Sequence, residues 1–291
     1  MTLLGLGNIK YIDMILIGDT HGNNKHIKML IKDRNYRDTD LIHVGDFGVG
    51  FNGMGQELKN LNALNDFMKE RNLTLHVIRG NHDNPHYFDG TYLNTNLKLH
   101  PDYTVLNIED KNILLVGGAV SIDRVMRRDY NIMEVTRDMH SENRYHWEGE
   151  KFILDKEKLE SMRGINIVVT HTAPHYAKPF DVKGKWPYIV TQFMGEDPTL
   201  GDDLVAERTL LDEMYNILDK NNYIEDWFYG HFHRNELTNH GHTLFHMLAI
   251  NEMCEHGNFN TDEENVLTEQ YDPQPKLTKT GKLDMRYKVN K

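Results

Sequence analysis

The sequence predicts an α/β protein built on mixed sheet. Three observations carry this. Short runs rich in Ile, Val and Leu recur at 12–17, 41–44, 73–78, 113–116, 165–169 and 244–250, the pattern of strands buried on both faces. Helix-period segments alternate with the first of these runs, as in βαβ units. The later runs follow one another more closely, which calls for some antiparallel pairing.

In order along the chain, Ile12 to Ile17 is the first strand and 23–34 the first helix. Residues 41–44 form the second strand. In 56–71 the apolar residues Leu58, Leu61, Leu64 and Met68 recur every three or four positions, which marks a helix. Strands follow at 73–78, 113–116 and 165–169. The segment 204–218 repeats the helical period with Leu204, Leu211, Met214, Tyr215 and Leu218. Asp226 to Tyr229 and 244–250 complete the strands.

Two stretches break this rhythm. Residues 121–150 hold five Arg and seven acidic side chains, and 176–203 hold Pro179, Pro187 and Pro198. Both read as long inserted loops, which are uncommon unless functional. Beyond Ala249 the chain is polar: 252–272 carry seven acidic and no basic residues, and 273–291 carry six basic and one acidic. The expected organisation is one domain over 1–250 with insertions near 121–150 and 176–203. A polar C-terminal tail over 251–291 follows it.

The 291 residues are 39% hydrophobic and 26% charged, with a net charge of −11. That balance suits a globular protein. It disfavours a general nucleic-acid coat, which needs Lys and Arg against phosphates, and a polybasic membrane-surface protein. Cys254 is the sole cysteine, so no intrachain disulfide can form. Met1 to Lys10 shows no secretory signal pattern, and no run approaches the ~18 apolar residues of a membrane span. A cytoplasmic location is expected, in a cell or in a virus-infected host. The unusual count is 17 His, where average usage gives about seven.

The histidines concentrate directly after strands. The strand ends read Gly18-Asp19-Thr20-His21-Gly22, Gly45-Asp46-Phe47-Gly48, Gly80-Asn81-His82-Asp83, Thr170-His171-Thr172-Ala173-Pro174-His175 and Gly230-His231-Phe232-His233. Ligands of open α/β sheets collect at the carboxyl ends of strands, so these side chains are expected in one place. Imidazole, carboxylate and amide oxygen together suit Mn, Fe, Zn or Ni. Seven such donors are too many for one tetrahedral ion. Two ions sharing a bridging carboxylate, about 4 Å apart, would use them all.

At these residues the chain resembles the calcineurin-like metallophosphoesterases, over 18–233 and with a last strand to about 250. The resemblance implies a four-layer αββα sandwich of two mixed sheets flanked by helices. It implies two divalent ions, manganese foremost, with Asp19, His21 and His233 on the first, Asp46 bridging, and Asn81, His171 and His231 on the second. It gives His82 the roles of phosphate contact and general acid, with a metal-bridging hydroxide as nucleophile. An imidazole's ordinary pKa of ~6.5 suits proton donation near neutrality.

The chain departs from the Ser/Thr phosphatases of this family. Gly-Asp-Phe-Gly-Val-Gly at 45–50 lacks their second Asp and their Arg, and Asp83 stands where they have Glu. Gly-Asn-His-Asp looks more like the phosphodiesterase and nuclease branches. Gly117 to Arg124 resembles a segment of small bacterial and phage members. Asp83 orients His82, shapes the site or caps a turn. His175 is an outer or surface residue or a substrate contact. Arg124, Arg127 and Arg128 form a phosphate clamp, or they pair with Asp123, Asp129 and Glu134. Tyr145, His146 and Trp147 stack a base or pack.

The leading expectation is a dimetal phosphodiesterase or phosphatase acting on a small phosphorylated or nucleotide substrate. A nuclease or polynucleotide end-processing phosphatase is the first alternative, disfavoured by the net charge. A non-enzymatic interaction module on the same fold is the second.

Overall fold

The computed structural model describes residues 14–137, 144–177 and 187–256, without the side chains of 135–137. Along the chain it runs β1 (Met14–Ile17), α1 (Asn24–Asp33), β2 (Asp40–His43), α2 (Met54–Glu70) and β3 (Thr74–Val77). After a 3₁₀ turn at Pro85–Phe88 come β4 (Leu97–Leu99), β5 (Thr104–Ile108), β6 (Lys111–Val116), α3 (Arg124–Arg137), α4 (Lys156–Ser161) and β7 (Ile167–Thr170). A second 3₁₀ turn at His175–Ala177 leads to α5 (Tyr188–Met194), α6 (Leu200–Asp219), β8 (Asp226–Tyr229), β9 (Glu236–His240), β10 (Thr243–Met247) and β11 (Met253–Glu255).

Two mixed sheets result. One has the order β11-β1-β2-β3-β4, with β1 to β4 parallel and β11 antiparallel to β1. The other has the order β5-β6-β7-β8-β10-β9, parallel from β6 to β10 and antiparallel at both edges.

Strand alternation builds the layers. Met14 and Leu16 of β1 turn towards the second sheet and meet Ile113, Leu115, Ile167, Val169 and Phe228. Ile15 and Ile17 turn the other way, onto Ile27 and Ile31 of α1 and Leu61, Leu64 and Met68 of α2. The outer face of the second sheet presents Leu114, Val168, Trp227 and Tyr229 to Leu159 of α4 and to Leu211, Met214 and Leu218 of α6. Helices, sheet, sheet and helices make four layers. The strands are apolar on both faces because each sheet is covered twice.

Several expectations change. The stretch 121–150 is not an open loop, since it contains the fourteen-residue α3. The buried face of α3 is Arg124, Arg127 and Asn131. Those residues have helical spacing but polar identity, so an apolar period cannot reveal them. Within 176–203 lie α5, entered from Pro187, and the first turn of α6. Residues 178–186 lie outside the described residues. The domain does not stop at 250, because β11 extends the first sheet, pairing Ile15 with Glu255 and Ile17 with Met253. Of the expected tail, 257–291 lie outside the described residues. The sequence does not predict β4, β5, β9 and β11: β4 and β11 have three residues each, and β5 and β9 are edge strands with no fully buried residue and no regular apolar period.

Candidate metal centre

The parallel strands β1, β2, β3, β7 and β8 release their carboxyl-end loops at one rim. Asp19 and His21 follow β1, Asp46 follows β2, Asn81 to Asp83 follow β3, His171 follows β7, and His231 and His233 follow β8. The donor atoms of Asp19, His21, Asp46 and His233 lie within 4.8 Å of one another, and so do those of Asp46, His171 and His231. Asp46 belongs to both groups. The Asn81 Oδ1 is 3.0 Å from His171 Nε2, which is itself 3.2 Å from Asp46 Oδ1.

Backbone geometry aims these side chains. His21, Asp46, His231 and His233 have φ of 46°, 51°, 67° and 55°. The left-handed region is unfavourable for such residues and is tolerated where surroundings enforce it. Gly80 permits a close approach: a Cβ there would lie 2.1 Å from Asp46 Oδ1. The His82 amide donates to Asp46 Oδ1 at 2.7 Å, and the His231 amide donates to Asp19 Oδ2 at 2.9 Å. His171 Nδ1 donates to the Val44 carbonyl at 2.8 Å, which turns Nε2 towards Asp46.

The donor set fits divalent ions. Asp19 Oδ1 is buried with no hydrogen-bond partner, and the Nε2 atoms of His21 and His233 face each other at 3.2 Å. Converging lone pairs without enough protons are what a cation satisfies. Burial pushes the Asp46 carboxyl up, but His171, His82 and His21 outweigh it and hold it well below 3.8. Burial pushes His171 down, but Asp46 and Asp19 raise it to about 10. Ligation through this nitrogen would require its proton to leave. Burial, then the His171 charge, lowers His231 to about 3, so it offers a neutral nitrogen.

The sequence-family comparison now bears on this geometry. The model of the calcineurin-like phosphoesterases matches residues 13–235. The chain belongs to this family. It is a hydrolase acting on phosphoric ester bonds, and the family depends on two metal ions, for which the two donor groups are candidate ligands. Similar solved structures include the phosphopantetheinyl hydrolase of Mycobacterium tuberculosis, at 14% identity over 82% of this chain and 91% of that one, with a TM-score of 0.41. A predicted phosphoesterase of Streptococcus pneumoniae shares 12% identity over 81% and 71%, with a TM-score of 0.32. The inner-membrane-complex anchor GAP50 of Plasmodium shares 14% over 82% and 72%, with a TM-score of 0.36. No curated protein matches the sequence. Among the described residues no helix is long and apolar enough to cross a membrane.

Around the phosphoesterase centre, other expected residues take different places. His82 is half-buried beside His21, with ring centroids 5.0 Å apart. Burial and the Arg127 cation hold its imidazole well below 6.5, against the pull of Asp46. The Asp83 carboxylate accepts the backbone amides of Phe47, Gly48, Val49 and Gly80 at 2.7–3.1 Å. It pins the loop after β2 to the loop after β3. Burial and the Asp46 charge raise it to about 6, against those amides.

Two of the three arginines expected in a clamp, Arg124 and Arg127, are buried in internal contacts. Arg124 is 3% exposed and engaged by Asp197, Asp203 and Thr199. Arg127 is 1% exposed; it bonds the Tyr145 and Asn81 carbonyls and Ser121, and pairs with Asp123 and Glu150. Arg128 is exposed and donates to His146 Nε2 at 3.0 Å. Folding has taken the first two guanidinium groups for anions distant in sequence, Asp197 and Asp203 for Arg124 and Glu150 for Arg127. His175 is anchored to Asp212, accepting no metal-group neighbour, with Nδ1 2.8 Å from Oδ2. Trp147 packs under Arg127 and against Phe51.

Sequence reasoning missed Ser121. Its hydroxyl accepts from Asn81 Nδ2 at 2.9 Å and fixes which side of the amide faces His171. It also missed His43, buried beneath the centre, whose Nε2 lies 2.9 Å from Thr20 Oγ1. Ser121 lies within the Gly117–Arg124 segment, but nothing local there ties it to Asn81, forty residues away; His43 lies inside a strand and outside any motif.

Proposed function

We propose that this phosphoesterase hydrolyses a small phosphorylated or nucleotide substrate at a two-ion centre, with manganese the most effective ion. Asp19, His21 and His233 would hold one ion, Asn81, His171 and His231 the other, and Asp46 both. Two ions in such a site supply Lewis acidity to the phosphoryl oxygens and lower the pKa of water. The observation that carries the reading is the membership of Asp46 in both donor groups.

The chain's own residues do the rest. Asp46 stays ionised near neutral pH because the His171 charge and hydrogen bond outweigh its burial. The amides of His82 and His231 fix the two carboxylates, so the ligands are set before any ion arrives. The His82 imidazole stands beside the ligands and takes no part in either group. Burial, with the Arg127 cation, favours its neutral form in the free protein. The negative charge of a bound phosphate ester favours its protonation, and the leaving oxygen then receives that proton.

The burial of Arg124 and Arg127 in ion pairs supports a small substrate over a polynucleotide, since it removes two cations from any basic track. The test is hydrolysis of bis(4-nitrophenyl) phosphate and of nucleotides with added manganese, with metal content measured alongside. Asp46→Asn should abolish turnover and lose metal. Turnover that persists in the metal-stripped protein or in Asp46→Asn would sink the reading.

A further inference from the structure

The loop after β2 carries an aromatic side chain to which the metal-centre reading gives no task. Phe51 is half-buried, and its ring lies nearly parallel to that of His82, at 19° and a centroid distance of 6.4 Å. Its other neighbour is Trp147, met edge-on at 5.3 Å. Trp147 is buried and lies under the Arg127 guanidinium. A partly exposed apolar ring thus stands at the edge of a site otherwise made of imidazoles, carboxylates and an amide.

The backbone holds that ring in place. The amides on either side of it, of Gly50 and Asn52, both donate to Glu57 Oε2 at 3.2 Å. Upstream, Asp83 ties down Phe47, Gly48 and Val49. Gly50 has a φ of 107°, and a Cβ there would come within 2.5 Å of Asn84 Cβ and 3.2 Å of Trp147 Cζ2. Only glycine lets the chain pass this close to Trp147 and Asn84 before it presents Phe51 to His82. A half-exposed ring held by a loop with five anchored amides is preorganised for contact.

We propose that Phe51 is the platform for the leaving group and that this group carries a flat aromatic ring. The inference rests on the two-ion centre proposed above. His82 stands half-buried beside the proposed ligand His21, at the edge of that centre. A group carried outward by a phosphate held there passes this edge, and the half-exposed Phe51 flanks it. Stacking accepts any base or arene, because each has a π-face, and excludes aliphatic groups from the same gain.

Binding of phosphonates tests this without turnover, since a CH₂ replaces the ester oxygen. The probes are the phosphonate analogues of AMP and of ribose 5-phosphate, and benzylphosphonate, titrated by calorimetry into the metal-loaded protein. The AMP analogue or benzylphosphonate should bind roughly 5- to 20-fold more tightly than the ribose analogue. Phe51→Leu should erase that preference and Phe51→Trp should restore it. A preference for the AMP analogue alone assigns a nucleobase, and one shared by benzylphosphonate assigns any arene. Equal affinities in the wild type, a preference that survives Phe51→Leu, or its loss in Phe51→Trp as well would overturn the proposal. Failure of ester hydrolysis with the preference intact would instead count against the catalytic reading.

Discussion

Arg127 donates through Nη2 to the carbonyl oxygen of Asn81 at 2.9 Å. The same guanidinium bonds the Ser121 hydroxyl, which accepts from the Asn81 side-chain amide. One buried cation therefore holds both the backbone and, through Ser121, the side chain of a proposed ligand. An arginine that looked from its position like a substrate clamp acts on the centre from behind.

Ser121→Ala keeps every ligand and removes only the group that orients Asn81. Affinity for the second ion should fall roughly 10- to 100-fold, measured by metal titration, with the first ion less affected. Equal affinities for both ions in variant and wild type would show that Asn81 needs no such support.

Asp83→Asn retains size but turns an NH₂ towards backbone donors. A loss of roughly 2–4 kcal/mol in stability is expected, lowering Tm by about 5–15 °C. An unchanged Tm with reduced turnover would restore the view that Asp83 serves His82 alone.

Gly80→Ala tests close approach without left-handed strain. The new methyl would fall 2.1 Å from Asp46 Oδ1 and 2.2 Å from Asp46 N. Displacement of the shared carboxylate should strip both ions, and metal content after dialysis reads this directly. A variant that retains two ions per chain would mean that the two loops can part cheaply.

Asp226 lies at the opposite end of β8 from His231 and accepts from His246 at 2.6 Å and His256 at 3.2 Å. Burial opposes its charge, but the two imidazoles prevail and hold it below 3.8. A depressed carboxylate binds fewer protons folded than unfolded, so it stabilises above its unfolded pKa and loses this as pH falls below it. His256 follows β11 of the first sheet and Asp226 opens β8 of the second, so the contact ties the sheets together. Asp226→Asn should cost roughly 1–3 kcal/mol at pH 7 and make Tm less steep between about pH 4 and 2. Parallel Tm–pH curves for variant and wild type would exclude this role.

The proposed ligands were legible because each follows a strand in a motif of its own. Asp19, Asp46, Asn81, His171 and His231 are named by residue type and by their place after an apolar run. Helix α3 was not legible, because its buried side is Arg124, Arg127 and Asn131 and no apolar stripe betrays it. Asp197 and Asp203 gave no sign of pairing with Arg124, since partners some 73 residues away along the chain leave no local period.

The sequence by itself determined the strand order of the motifs, the donor chemistry and the family resemblance, because local apolar runs and short motifs are carried by neighbouring residues. Tertiary structure alone decided which charged groups remain available. Burial forces each cation to find an anion wherever the fold brings one, so Arg124 and Arg127 became internal ties. It also decided that Asp83 braces two loops and that Phe51 faces His82, since both depend on how loops from different strands meet at one rim.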